Sequence, residues 1–173
     1  LNVKYSVGID RNLNAPRFYE NMDRFGNAWF VNKIVETDSS NIKTIMESGE
    51  YDLRKTALFE KKMNFKSIEV EPDFKIECVS YENDRLEYKI SNSTDGFLIL
   101  SEIYYPSWKA EVNKKKSEVH LVDYCLRAIK LNKGNNHVIV EYDSDTYQTG
   151  FMISLTTLLL SIISIIILRK YEI

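Results

Sequence analysis

The segment from Phe151 to Leu168, FMISLTTLLLSIISIIIL, runs for eighteen residues without a charge and constrains this chain more than any other stretch. As a helix rising about 1.5 Å per residue it spans roughly 27 Å, close to the hydrocarbon thickness of a bilayer. Its polar members are all Ser or Thr, whose hydroxyls bond back to carbonyls one turn earlier and are tolerated in lipid. The alternative is a buried core helix, but such helices rarely stay apolar all round for this length. The reading is a transmembrane helix over 149–169 and a short tail over 170–173.

The residues before it, 1–148, suffice for one domain with its own core. Without Arg169, Lys170 and Glu172 the chain carries 21 basic and 24 acidic groups, a mildly negative balance with scattered cations that offers nothing to nucleic acid. The one basic run, Lys114 to Lys116, follows Asn113 between strand-like segments and reads as a solvated hairpin tip. Cys78 and Cys125 stand far apart with no CxxC or Cys/His cluster, which excludes a disulfide scaffold and a recognisable zinc site. They are either a single pair on an oxidising side of the membrane or two free buried thiols.

The chain begins with Leu and has no signal-like leader, so it reads as a fragment. Arg169 and Lys170 directly after the span favour an inside tail and an outside domain. Exporting that domain requires earlier transmembrane helices. A tail-anchored cytosolic protein is the competing topology.

From Arg85 onward the pattern has period two: Leu86, Tyr88, Ile90, then Phe97 to Tyr105, then Trp108, Ala110, Val112. Further runs follow at Val119 to Val122, Cys125 to Leu131 and His137 to Tyr142, divided by turn chemistry at Asp95-Gly96, Asn113 to Lys116 and Lys133 to Asn136. Strands at such short intervals predict a mainly β fold, an antiparallel β-sandwich or jelly-roll-like domain with one or two short helices. Only Asp143 to Thr149 separate the last strand from the span, a linker short enough to hold the domain near the headgroups. In the first half, Ala28 to Val35 is extended and Asn41 to Glu47 is a helix with Ser40 as N-cap and Gly49 as C-terminal cap. Leu53 to Phe59 and Ser67 to Val79 are strands, the latter at an edge or broken by Pro72.

No nucleotide loop, nucleophile elbow, HExxH or meaningful carboxylate pair is present, so no catalytic residue, cofactor or metal ligand is assigned. Asp10, Glu20 and Asp23 read as an exposed polar face, His120 and His137 as ordinary strand residues, and Asn92-Ser93-Thr94, which fits a glycosylation sequon, as a loop signal. The densest feature is Ser101-Glu102-Ile103-Tyr104-Tyr105-Pro106-Ser107-Trp108-Lys109-Ala110, where a strand ends in aromatics, Pro turns the chain, and Trp starts the next strand. Aromatic groups at such a corner stack on sugars, lie at a membrane interface or fill the core.

This decapeptide resembles the C-terminal region of bacterial YfhO-type polytopic membrane proteins. Gly26 to Val31, Asp52 to Ala57 (similar to a "DPRKTA" strand), Tyr124 to Ile129 (similar to "YALRAV") and Leu1 to Tyr5 agree with that family in the expected order. Leu53 stands where Pro is usual, Ser107 where Gly is usual, and Asn113-Lys114 where an Asp-Gly turn is common. The resemblance implies a multi-span protein of the bacterial cytoplasmic membrane related to glycosyltransferases that use polyprenyl-phosphate sugars. Their catalytic acids are expected in an early outer loop, outside this chain, so the fragment is expected to be a non-catalytic extracytoplasmic domain with the last helix. Its expected partners are the lipid bilayer, the missing N-terminal helices and a glycan or lipid-linked sugar, with Tyr105, Trp108 and Arg127 as candidate ligand-binding residues. A purely structural module without a ligand is the alternative.

Overall fold

A computed structural model of the chain describes residues 3–10, 15–143 and 145–171; the ends of the expected tail and of the Leu1 to Tyr5 motif fall outside them. The chain divides into two compact units, residues 1–141 and 142–173.

The first unit is mainly β, as the period-two pattern predicts. It opens with a hairpin that the sequence did not announce, β1 (Tyr5–Asp10) paired antiparallel with β2 (Ala15–Glu20). The extended patch then yields β3 (Ala28–Val31) and β4 (Lys33–Glu36), separated by Asn32 alone. Helix α1 (Ser39–Ser48) follows, one turn wider than the sequence suggested. Its N-cap is Asp38 rather than Ser40, and the Asp38 carbonyl takes the amides of Asn41 and Ile42. Gly49 ends it with φ of 67°, a left-handed conformation that disfavours a side chain.

The remaining strands are β5 (Thr56–Phe59), β6 (Phe74–Tyr81), β7 (Arg85–Asn92), β8 (Gly96–Ile103), β9 (Trp108–Val112), β10 (Lys115–Ser117), β11 (Val119–Val122), β12 (Leu126–Leu131) and β13 (Gly134–Tyr142). The expected strand from Ser67 begins only at Phe74. Before it, residues 67–70 run irregularly alongside β3 and β4, with Ile68 donating to the Asn32 carbonyl and Ser67 Oγ accepting from Ile34. Pro72, without an amide hydrogen, marks the break, and β6 is indeed an edge. The expected turn at Lys133 to Asn136 is shorter too, because Asn135 and Asn136 already belong to β13.

Five strands form one sheet in the order β10-β9-β13-β7-β6, and six form another in the order β3-β8-β12-β11-β5-β4. One residue joins β3 to β4, yet they are the outermost strands of the second sheet, so that sheet must curl until its edges meet. Alternation then serves two cores. Phe30, Leu98, Leu100, Ile129 and Leu131 face Leu86, Tyr88, Ile90, Val138 and Val140 of the five-stranded sheet, which makes the sandwich. Trp29, Val31, Phe59, Phe97, Ile99 and Ala128 point the other way into the curl. Gly96, where β8 starts, is forced by this closeness, since a Cβ there would lie 2.3 Å from the Val31 carbonyl oxygen.

Cys78 and Cys125 are unpaired. Neither is buried as a free thiol was expected to be: Cys78 is exposed on the edge strand β6, and Cys125 sits half-buried at the turn into β12. The second unit is dominated by α2 (Asp145–Tyr171), of which Tyr147–Lys170 is long and apolar enough to cross a membrane. Its hydroxyls behave as lipid requires: Thr156 and Thr157 both donate to the Ile153 carbonyl, at 2.8 and 2.9 Å, and Ser161 donates to that of Thr157 at 2.9 Å.

Candidate functional site

Arg127 is the largest fully buried side chain of the β unit, 1% exposed at the start of β12. Its position follows from alternation, because Arg127, Ile129 and Leu131 share the face that packs on the five-stranded sheet. Trp108, the first residue of β9, presents its ring to it, with the guanidinium carbon 4.0 Å from the ring centroid. Glu102 supplies the counter-charge through Oε2 to Nη2. A bulge aims that carboxylate: the β12 to β8 register jumps from Leu126 opposite Ile103 to Arg127 opposite Leu100, leaving Ser101 and Glu102 without opposite residues.

Above this trio is a cleft of about 250 Å³, walled by Tyr81 and Asn83 at the β6–β7 turn and by Ile103 across from them, with Glu102, Trp108 and Arg127 among its lining. Tyr88 of β7 sits below, its hydroxyl buried. Burial lowers the Arg127 pKa to about 10, against the pull of Tyr88 and Tyr81, so the group stays cationic at neutral pH. Burial likewise raises the Tyr88 phenol and keeps it protonated. Among the described residues, Nε and Nη1 of Arg127 and the Tyr88 hydroxyl are buried without a hydrogen-bond partner, while Glu102 Oε2, also buried, is taken up by the ion pair with Nη2. Such groups cost about 1–3 kcal/mol each, more when charged. A cation with unanswered donors beside an open cleft is a recognition element rather than a core filler.

The other polar groups that the sequence singled out have different settings. Asp10 pairs with Arg17 at 3.3 Å and Glu20 with Arg24 at 3.1 Å, so the N-terminal carboxylates are surface ion pairs. Among the described residues no His, Cys, Asp or Glu group is arranged to hold a metal. His137 Nε2 lies 2.8 Å from Glu87 Oε1, which holds that carboxyl below the usual range. His120 is packed against the rings of Phe59 and Phe97, and burial lowers its pKa. Asn92 of the sequon is buried and its amide nitrogen donates to the carbonyls of Thr94 and Asn132, so it is a structural residue.

A family model for the bacterial membrane protein YfhO matches residues 13–154. The chain belongs to the YfhO family. The uncharacterized protein YfhO of Bacillus subtilis (strain 168) is 27% identical over 128 residues, which cover 72% of this chain and 15% of that protein. The chain therefore spans about a sixth of the length of the YfhO relative it matches. No solved structure matches it.

Of the residues that the YfhO-like decapeptide and strand suggested, Trp108 and Arg127 are brought into contact. Tyr105 is 56% exposed, and its carbonyl accepts the Trp108 amide at 3.1 Å. Arg127 already occupies one face of Trp108, so that face is not available to stack on a sugar. Sequence reasoning passed over Glu102, Tyr81 and Tyr88. The signal for Glu102 was present: counting by two from Leu98 and Leu100 puts its carboxylate on the face that carries Arg127.

Proposed function

We propose that this chain is the outer β domain and last helix of a glycosyltransferase-like YfhO membrane protein, and that its domain recognises an acceptor glycan or lipid-linked sugar. In this reading residues 1–148 stand on the extracytoplasmic side of the bacterial cytoplasmic membrane, 149–169 cross it and 170–173 face the cytoplasm. The domain has no catalytic role; it positions a ligand for chemistry carried out elsewhere in the protein. Arg127, Trp108 and Tyr105 are the ligand-binding residues.

The observation that carries this reading is the buried Arg127 cation, which packs on Trp108, lines a cleft, and keeps two buried donors that no group among the described residues takes. Membership of a membrane protein family and an apolar helix fully exposed along its length support the membrane setting. The test is to express the full-length protein with Arg127→Met or Trp108→Leu and to analyse envelope glycans by mass spectrometry beside a membrane-fraction blot. Normal assembly with altered glycan product is expected.

A second reading is favoured by one specific contact, the Glu102–Arg127 ion pair, which already neutralises the cation. On that reading the sandwich is a scaffold for the membrane bundle. Unaltered product with poor assembly establishes the scaffold and removes the recognition role.

A further inference from the structure

We infer that the Arg127 cleft is an oxyanion site, and that Glu102 is an internal carboxylate which an incoming carboxylate or phosphate displaces. This deepens the recognition reading and rests on it, by naming the chemical class that the cleft takes.

A guanidinium is planar and its donors lie in that plane. It offers two edges for two-point docking of an oxyanion, one formed by Nη1 and Nη2 and the other by Nε and Nη2. Glu102 uses a single oxygen, and it places that oxygen on Nη2, the nitrogen common to both edges. Nη1 and Nε, the other halves, are buried and have no partner. Either edge thus becomes a complete two-donor fork once Glu102 moves aside. Trp108 meets the guanidinium through its ring, with the central carbon 4.0 Å from the ring centroid, and is not among the hydrogen-bond partners of Nε or Nη1.

Glu102 is built to move. Its side chain is 23% exposed while that of Arg127 is 1% exposed, so a swing of the side chain carries the buried Oε2 into water, a route the cation lacks. It also sits in a bulge, where its backbone is released from the β12 ladder. Neutral sugars do not satisfy the two-donor edges, because a hydroxyl cannot accept from both members of a fork as an oxyanion does.

The experiment uses the full chain in lipid nanodiscs with ¹⁵N-arginine, following the Arg127 Nε–H resonance as inorganic phosphate, glucuronate and glucose are added in turn. A saturable shift with phosphate, glucuronate or both, and none with glucose, is the expected result. Phosphate alone points to a phosphate-bearing ligand and glucuronate alone to an acidic sugar. Glu102→Gln removes the competing charge with little change in shape, and it should tighten anion binding about tenfold. Equal or weaker binding by Glu102→Gln overturns the displacement, and no anion-dependent shift at Arg127 in either protein overturns the site. Both results are read on the chain itself, so they stand apart from the glycan product of the full-length protein, which tests the recognition role.

Discussion

Two polar clusters are buried at opposite ends of the same sandwich, and they differ in whether the protein answers its own hydrogen bonds. At the end where β13 begins, Asn136 donates to Asn92 Oδ1 at 2.9 Å and to the Asn132 carbonyl at 2.8 Å, and accepts from Asn113 at 3.1 Å. Asn113 in turn accepts the His137 amide at 2.8 Å. At the other end, Arg127 Nε and Nη1 and the Tyr88 hydroxyl are buried with no hydrogen bond among the described residues, while Glu102 Oε2 is held by Arg127 Nη2; Asp123 Oδ2, in the turn before β12, is likewise buried without a hydrogen bond. The saturated cluster fixes a hairpin tip and leaves nothing to bind. The unsaturated one keeps donors in reserve, which lowers stability and is intelligible when a ligand takes them.

The largest expected effect concerns Asp123. Its Oδ1 accepts the Leu58 amide at 2.8 Å and ties β5 to the turn, while Oδ2 has nothing. Burial raises its pKa to about 7, against that hydrogen bond. A carboxyl that binds its proton more tightly when folded contributes stability at low pH and loses it as pH rises from about 4 to about 7, at up to about 1.4 kcal/mol per pH unit. Asp123→Asn keeps the acceptor and removes the charge. Urea unfolding of the chain in detergent, followed from pH 4 to 8, should show the variant's advantage growing until about pH 7 and then levelling. A pH-independent difference means that Asp123 is ionised in the fold and belongs with the answered groups.

Next is Asn136→Ala, which strands Asn92 Oδ1 and the Asn113 amide together. A loss of about 2–3 kcal/mol is expected from orphaning them in a buried network. Denaturant midpoints measure it, and a loss below about 0.5 kcal/mol would show that water replaces the asparagine and that the two clusters are less different than their geometry implies.

How far the sequence foretold this contrast depends on the range of the signal. Alternation is local, and it put Leu86, Tyr88 and Ile90 inward and placed Trp108 and Arg127 in a mainly β domain. Curling of the six-stranded sheet was not legible, because it rests on β3 pairing with β8 and β4 with β5 across a one-residue link. The N-terminal hairpin was missed for a different reason: Tyr5, Val7 and Ile9 alternate with Ser6, Gly8 and Asp10, but the partner strand Ala15–Glu20 has no matching alternation, and Val7, Ile9 and Phe18 are exposed, so no buried face imposes one. Glu102 was readable by parity but its pairing with Arg127 was not, since a bulge shifts the register between their strands.

A smaller effect sharpens the saturated end. Asn113 and Lys114 form the two-residue turn between β9 and β10 with φ of 53° and 65°, a geometry that suits Asn-Gly and strains lysine. Lys114→Gly should stabilise by about 0.5–1 kcal/mol, the left-handed penalty less the added freedom of the unfolded glycine. The neighbouring groove, lined by Lys115, Lys116, Lys130 and Lys133, keeps its charge in this variant. A destabilised Lys114→Gly protein would mean that the lysine side chain makes a contact worth more than its backbone strain.

The smallest expected change is the most discriminating. Replacing Arg127 by Met and Glu102 by Leu together removes a buried charge, its counter-charge and two orphaned donors, and leaves apolar volume against Trp108. Exchanges of buried ion pairs for well-packed apolar residues are often neutral or stabilising, so the double variant should unfold within about 1 kcal/mol of the natural chain. Arg127→Met alone should cost more, because Glu102 then loses the cation that compensates its partial burial. If the double variant instead loses as much as Asn136→Ala, the arginine is there for the fold and both clusters do the same work. If it retains stability while the Arg127-dependent anion response disappears, the unanswered donors are kept for something outside the chain.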